Sequence, residues 1–484
     1  MNTLAEHDTL TAGLAPSASE AALLDQLAAA LPPEALSARP EELSFLATDA
    51  TGLLGERPPV AAVFPSTVEQ VQTVLALANN LGVPVVARGA GTGLAGGAVP
   101  KAGGIVLSLE RLDQIIDISP QDHSIRVQAG VITAQVSEAA AQFGLFYAPD
   151  PASADISSVG GNIATNAGGF HCAKYGVTRD SVLSLKVVLA DGALLDTGPA
   201  TFKNSAGLSL TSLFIGSEGT LGVIVEATLR LRPAPAETAT FAAFFPSLRS
   251  GIAAAAAVVA SPVQPAVLEL LRRPEQLTAD AVYGAAAAAA EVLVLGQTDG
   301  VGAHAEAETL YELLRQAGGT VFALDAAESE RFFDLRRGGR RRGEGVKDRG
   351  GRGPRPDPSR FGDADVAVPP SRLVELIEAS SRIAAEHGLS YNATAHAADG
   401  NVHTFFFADG QWVDAAAATA LNQARTELYE VVWRLGGTIT GEHGIGLKLA
   451  AYAEQQLGSV ATRVNAGIKQ VLDPVGILNP GKWI

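Results

Sequence analysis

Apolar and polar positions alternate along most of this chain with helical or strand period. Residues 18–37 are rich in alanine and leucine at helical spacing. Val60–Phe64 is an apolar run closed by Pro65, and Thr67–Leu81 places Val68, Val71, Leu75 and Ala78 on one helical face. That spacing predicts a helix with Ser66 as its N-cap and Gly82 as its stop. Strands are predicted at Ile105–Leu109, Ile115–Ile118, Ile125–Val131 and Val223–Leu231, a helix over Thr133–Phe143, and a hairpin over Ser184–Thr197 that turns at Asp191-Gly192. Beyond the linker Arg232–Glu237, RPAPAE, strand patterns at Leu293–Gly296 and Thr320–Leu324 enclose a helix over His304–Gln316. The most apolar runs, from Ile252 and from Ala285, are shorter than the roughly 20 residues a bilayer-spanning helix needs and read as core pieces.

Three stretches keep neither period and are dense in glycine. In Pro84–Gly97, PVVARGAGTGLAGG, a short strand runs into a loop carrying Gly89, Gly91, Gly93, Gly96 and Gly97. Glycine lets successive N–H groups turn inward, and without a Cβ an anion can approach the backbone, so the loop reads as a phosphate cradle. Arg88 at its mouth and the Thr92 hydroxyl add a cation and a donor. Gly91, Gly93 and Gly96 satisfy GxGxxG, and Glu110 falls where a ribose-binding acid would stand. However, Gly97–Gly104, GAVPKAGG, carries helix breakers where a dinucleotide-binding unit needs a helix, so the unit reads strand, loop, strand. A glycine loop without a ligand is the plain alternative.

The second stretch, Pro149–Gly176, PDPASADISSVGGNIATNAGGFHCAKYG, is 28 residues with little hydrophobic period, long for a surface loop and unable to build its own core. The third is Gly216–Gly222, GSEGTLG. Three such loops between strands imply one extended ligand, such as a nucleotide with a pyrophosphate and a ring system.

Composition narrows the class. At 484 residues, 47% hydrophobic and 18% charged, the chain has two or three domains' worth of core and is not disordered. A net charge of −16 argues against general nucleic-acid binding. The single cysteine, Cys172, excludes an internal disulfide and fits a reducing compartment. The N-terminal MNTLAEHDTL lacks the basic and apolar regions of an export signal, which points to the cytoplasm. Arg331–Arg360 departs from the rest, with ten arginines and one lysine among the chain's 35 basic residues. It reads as an exposed, poorly ordered loop, with an RNA-binding segment or a reading-frame error in the gene as alternatives.

Candidate chemistry lies in Tyr391–Phe407, YNATAHAADGNVHTFFF. Two strand-like arms flank the turn signal Asp399-Gly400-Asn401, which brings His396 and His403 opposite each other on a hairpin. GEHGIG at Gly441–Gly446 adds an acid and a third histidine between glycines. His396, His403 and Glu442 form a two-histidine, one-carboxylate set with positions left open, as a catalytic divalent metal requires. Spacing alone reads equally well as satisfied structural histidines.

RGAGTGLAGGA from Arg88, PDPAS followed by GGNIATNAGG and KYG, and GSEGTLGVI from Gly216 resemble the FAD-binding domain of the vanillyl-alcohol oxidase type. Together with the later motifs they are similar to the branch holding glycolate oxidase FAD-linked subunits, D-lactate dehydrogenases and D-2-hydroxyglutarate dehydrogenases, from about residue 40 to the end. The resemblance implies an α+β fold: an N-terminal helical segment (1–40), a two-part FAD-binding domain (41–235), an α+β substrate domain with antiparallel sheet (236–431), and a C-terminal helical segment (432–484) packing back toward the flavin. It implies noncovalent FAD, since no histidine stands between Arg88 and Ala98. The implied cofactor-binding residues are Arg88, Gly89, Gly91, Thr92, Gly93, Gly96, Gly97, Pro149, Asp150, Gly160, Gly161, Asn162, Ala164, Asn166, Gly168, Gly169, Tyr175, Gly176, Glu218, Gly219, Gly222 and Ile224.

Relatives carry GHxGDGNxH and GEHGxG with metal ligands at the positions of His396, His403 and Glu442, which implies a divalent metal (zinc, manganese or iron). Ala395 and Ala398 replace family glycines and would add methyl groups beside the first ligand. Lys448, Asn479 and Lys482 also match. The family's substrate-carboxylate arginine follows an aromatic-x-Leu pattern, matched by Phe333-Asp334-Leu335-Arg336, and His443 is the implied proton acceptor. The expected activity is metal-assisted oxidation of a small D-2-hydroxy acid, D-lactate or glycolate, to the 2-keto acid, with hydride transfer to flavin. An electron acceptor or partner subunit, a homo-oligomer or complex, and peripheral membrane association without a spanning segment complete the expectation. Another FAD-dependent alcohol or sugar-lactone oxidase on this scaffold, or a non-enzymatic nucleotide- or RNA-binding subunit, are the alternatives.

Overall fold

The computed structural model describes residues 15–272, 275–336, 361–408 and 415–484. The first part of the chain holds two small sheets and a two-stranded pairing of Leu145–Phe146 with Arg232–Pro233. In one, the strands Leu36–Ser37, Ala61–Val63, Ile105–Ser108 and Val85–Arg88 lie in that order, and Val85–Arg88 runs parallel to Ile105–Ser108. Parallel neighbours are usually joined through a helix. Here the glycine loop itself makes the crossover, as the strand, loop, strand reading expects. The other sheet is antiparallel, in the order Ile115–Ser119, Ser124–Gln128, Val223–Arg230, Val182–Val188, Leu194–Asp196.

The helix before the glycine loop spans Val68–Leu81. Its N-cap is Thr67, whose hydroxyl accepts from the Gln70 N–H, whereas Ser66 donates its own N–H to the Gln70 side chain. Gly82 ends it at φ 63°, a conformation glycine adopts without strain. Pro149–Gly176 is less irregular than its composition suggests. Ser158 caps a helix over Val159–Thr165, and a short helix follows at Cys172–Tyr175.

The second part is a seven-stranded antiparallel sheet in the order Thr320–Leu324, Thr238–Phe245, Val292–Asp299, Val267–Arg272, Ser390–His396, Asn401–Phe407, Phe361–Ala367. Its strands alternate with period two, so each face gathers every second residue. Phe241, Phe245, Leu268, Leu270, Ala393, Ala395, Val402, Phe406, Ala364 and Val366 face a helical layer that includes Leu248–Val259, Ala303–Gln316, Leu373–Glu386 and Ala415–Arg434. The opposite face carries Phe244, Leu293, Leu295, Val267 and Leu271, joined by Phe332 and Phe333 of the helix Ala326–Arg336 and by Phe170 from the first part. Arg331–Arg336 is therefore helical rather than loop, with Arg331 paired to Asp280; the rest of the arginine-rich stretch, 337–360, lies outside the described residues. Among the described residues no helix is long and apolar enough to cross a membrane.

The C-terminal strand-like segment returns to the first part. Val85 N–H donates to Ile477 O, and Asn479 N–H donates to Val85 O, both at 2.8 Å. The Asn479 amide donates to the carbonyls of Gly97 and Glu218 at 2.9 and 2.6 Å. The buried Lys482 donates to Val99 O.

Candidate active site

The same alternation that buries the core delivers the polar site. On the face away from the helices, Glu269, His396, His403 and Asp365 come from four adjacent strands. Glu269 stands directly across from His396, and Asp365 across from His403. Each histidine thus faces a buried carboxylate on the neighbouring strand. The two histidines themselves are not directly opposed, because His396 pairs with Asn401 and His403 with Thr394. They are diagonal neighbours on one face, close enough that their Nε2 atoms lie 3.4 Å apart.

Glu442 completes the set from the GEHGIG loop. Its Oε1 is 3.3 Å from His403 Nε2, 3.8 Å from His396 Nε2 and 3.7 Å from His443 Nε2. Donors held tetrahedrally at about 2.1 Å from a zinc-like ion stand roughly 3.4 Å from one another, so these separations fit a metal. His396 gives Nδ1 to Glu269 Oε1 at 2.6 Å, which leaves Nε2 for a ligand bond, the usual supporting arrangement at metal sites. Burial opposes both charges, yet Glu269 and Glu442 hold His396 well above its ordinary range, and the two imidazoles hold Glu442 well below the carboxylate range. Burial pulls His403 down despite Glu442 and Asp365, which favours the neutral ring that binds metal.

Asp365 also builds the loop. Its Oδ2 accepts the N–H groups of Gly441, Glu442 and His443 at 3.0, 2.9 and 2.9 Å, and its Oδ1 accepts the Asn401 amide at 2.7 Å. Burial raises its carboxyl, but His443 and His403 bring it below its usual value. A second candidate cluster, Asp365 with His403 and His443, therefore spends its carboxylate on backbone donors. From the other side, Glu218 accepts Ile445 and Gly446 N–H at 2.8 and 2.6 Å. Burial pushes Glu218 up to about 7, against those amides and Lys482, which burial in turn brings down to about 8.

The glycine loops line a cleft of about 900 Å³, its open mouth included. Among the described residues, no backbone N–H from Gly89 to Ala98 donates to another group of the chain. Backbone donors without protein acceptors are met by water or by a ligand. At Gly93 and Gly97 an added Cβ would stand 3.9 and 3.8 Å from the nearest side chain, ordinary contact distances, so no protein neighbour demands glycine there and the bare backbone leaves room for close approach of a ligand. The residues present thus fit FAD.

Of the cofactor residues expected, Arg88, Gly89, Gly91, Thr92, Gly93, Gly97, Gly160, Gly161, Asn162, Ala164, Glu218, Gly219, Gly222 and Ile224 line the cleft. Arg88 is buried and donates Nη1 to Thr48 O at 2.7 Å, beneath the loop rather than at its mouth. Gly96, Pro149, Asp150, Asn166, Gly168, Gly169, Tyr175 and Gly176 stand outside the lining. Asp150 accepts the His171 N–H, Asn166 takes a left-handed conformation at the end of its helix, and Tyr175 donates to Asp299 at 2.6 Å. Gly168 lets the loop pass Glu442, whose Oε2 lies 2.4 Å from where a Cβ would be.

His443 lines the cleft as well as approaching Glu442, and its Nδ1 lies 3.6 Å from Asp365 Oδ2. Arg336 donates Nε to Glu269 Oε2 at 2.6 Å, while its buried Nη2 has no partner among the described residues. Glu269 therefore ties Arg336 to His396. Ala395 and Ala398 pack toward the helical layer, so their methyl groups point away from the ligand they adjoin in sequence. Lys448 is engaged with Asp363 at 2.6 Å. Glu269 and Asp365 carry no motif in the sequence, although each is an acid flanked by apolar residues in its strand, VLELLR and FGDADVA.

The FAD binding domain family matches residues 59–198, and the C-terminal domain of FAD linked oxidases matches residues 234–483. Glycolate oxidase subunit GlcD of Bacillus subtilis (strain 168) is 36% identical over 427 residues, covering 88% of each chain. The D-lactate dehydrogenase of Archaeoglobus fulgidus is 35% identical over 447 residues, 89% of this chain and 94% of the relative. Among solved structures, p-cresol methylhydroxylase with substrate bound superposes with a TM-score of 0.77 at 19% identity, covering 97% of both chains. An alkyldihydroxyacetonephosphate synthase gives 0.74 at 18%, covering 97% of this chain and 87% of the other. These two carry the likeness of fold alone.

Proposed function

Since the chain belongs to the FAD-linked oxidases, with the FAD binding and C-terminal oxidase domains in order, we infer that it oxidises a small 2-hydroxy acid to the 2-keto acid. The observation that carries this reading is His443, which lines the cofactor cleft and reaches the Glu442 oxygen shared by His396 and His403. One residue thus stands between the hydride acceptor's place and the point where the substrate hydroxyl would be held.

FAD, when bound, supplies the acceptor for the C2 hydride. A divalent ion (zinc, manganese or iron) between His396, His403 and Glu442 would supply Lewis acidity toward the hydroxyl oxygen. His443 accepts the hydroxyl proton at Nε2, with Asp365 steadying the ring through Nδ1. Arg336 offers Nη2 to the substrate carboxylate, and Glu269 fixes its orientation through Nε. The relatives' printed names, a glycolate oxidase subunit and a D-lactate dehydrogenase, support glycolate or a D-2-hydroxy acid such as D-lactate as the substrate. The word subunit in the first name supports a place in a complex, and we assign the electrons to another subunit or a diffusible acceptor. We place the protein in the cytoplasm, free or peripherally attached to a membrane, and take the domain limits as 41–235, 236–431 and 432–484.

Anaerobic titration of the yellow protein with glycolate, D-lactate, L-lactate and D-2-hydroxyglutarate tests the reaction. Bleaching by at least one D-acid or glycolate is expected, and a flavin untouched by all four would defeat the reading. Arg336→Lys keeps the charge but loses the planar fork. KM should rise roughly 10- to 100-fold, the equivalent of one charge-assisted hydrogen bond, while the exposed Arg331→Lys leaves KM unchanged. Equal KM values in both variants would remove Arg336 from the substrate site.

A further inference from the structure

We propose that Phe170 sets the size of the substrate, closing the space beside the hydroxyl-bearing carbon so that C2 carries only hydrogen or a methyl group. The proposal rests on the 2-hydroxy acid oxidation inferred above and names which members of that class are taken.

Phe170 comes from the first part of the chain but is buried, 5% exposed, in the apolar cluster beneath the seven-stranded sheet. Its ring touches both groups assigned to the substrate's polar end. The Arg336 guanidinium lies over it at 5.5 Å, and the His396 ring stands at 6.1 Å. Phe333 stacks against it at 6.1 Å, which gives the ring an apolar backing.

The loop that carries the ring is held at both ends. Before it, Gly168 and Gly169 pass so close to Glu442 and Asp150 that an added Cβ would lie 2.4 and 2.6 Å from their carboxylate oxygens. After it, the His171 N–H donates to Asp150 Oδ1 at 3.0 Å, while Lys174 and Tyr175 both bond the buried Asp299 of the sheet. A ring fixed in this way is a wall and not a mobile flap.

A 2-hydroxy acid carries its carboxylate and its hydroxyl on adjacent carbons. When Arg336 holds the first, the histidine pair faces the second and the C2 hydrogen is directed at the flavin, one tetrahedral direction is left for the remaining substituent, and it is this side that Phe170 closes. The Phe170 ring lies against both flanking groups, so a substituent longer than methyl would have to displace it. Apolar pockets discriminate by about 10- to 200-fold for each methylene that does not fit.

The test compares kcat/KM with a dye acceptor for glycolate, D-lactate, D-2-hydroxybutyrate and D-phenyllactate in the wild type, Phe170→Ala and Phe170→Leu, with bound flavin measured in each. The wild type is expected to fall at least tenfold beyond D-lactate. Phe170→Ala should raise the ratio of D-phenyllactate to D-lactate at least tenfold, and Phe170→Leu, which keeps an apolar contact on Phe333, should raise the ratio for D-2-hydroxybutyrate. If the alanine variant purifies without flavin, the leucine variant decides. Unchanged ratios in flavin-replete variants, or a wild type that turns over D-phenyllactate as well as D-lactate, would overturn the proposal while leaving the reaction standing. A wild-type flavin that no acid reduces would overturn the reaction, and this proposal with it.

Discussion

His443→Asn should slow flavin reduction by about 10²- to 10⁴-fold, the range for loss of a general base, while both flavin and divalent metal stay bound. Asparagine has a polar side chain of similar reach but cannot take the hydroxyl proton. The loop that carries it is held through backbone N–H groups donated to Asp365 and Glu218, which the substitution leaves in place. His396→Asn should behave differently. It removes one of three donors and leaves Glu269 without its imidazole partner, so bound metal should fall and substrate should no longer bleach the flavin, although flavin content is unchanged. Stopped-flow reduction with elemental analysis on the same preparations separates the two. Metal lost from the His443 variant and kept by the His396 variant would reverse the roles. Full reduction rates in both would make the cluster structural.

Gly91→Val should empty the cofactor cleft. Gly91 sits at φ 68°, where a β-branched residue is a backbone outlier. Its Cβ would also lie 2.1 Å from Nη2 of the buried Arg88, whose Nη1 is anchored on Thr48 O, so the arginine would have to shift. The obstacle is thus the floor of the loop as well as the space reserved for the pyrophosphate. The wild-type protein should release its yellow colour into the supernatant on acid precipitation, as noncovalent FAD does, and the Gly91 variant should purify colourless with the absorbance near 450 nm lost, on the order of tenfold or more, the strain being one that only glycine avoids. Colour retained in the wild-type pellet would mean a covalent flavin, and normal flavin content in the variant would mean that the loop does not hold it.

Local pattern accounts for what was legible beforehand. The crossover from Val85–Arg88 to Ile105–Ser108 could be read as lacking a helix because GAVPKAGG cannot form one. The hairpin of Ser390–His396 and Asn401–Phe407 followed from alternation and its Asp399-Gly400 turn, and GEHGIG announced close approach through its glycines. Arg331–Arg336 misled because arginine count dominates a composition argument, whereas Phe332 and Phe333 are buried and hold that segment in a helix.

By itself the sequence determined most of the strands and helices, the three glycine-rich loops, and the candidate ligands His396, His403 and Glu442, since these depend on periodicity, turn chemistry and residue type within short windows. Tertiary structure alone decided that the GEHGIG loop meets both the cleft, through His443, and the histidine pair, through Glu442. Glu442 reaches the histidine pair because Asp365, some 77 residues away in sequence, gathers its loop's N–H groups. That loop meets the cofactor cleft because Glu218 binds it from 227 residues away. Strand register did the rest, placing Glu269 across from His396, and long-range packing brought Phe170 against Arg336. Register and long-range packing are set by the whole sheet and its burial, and a window of sequence holds no record of either.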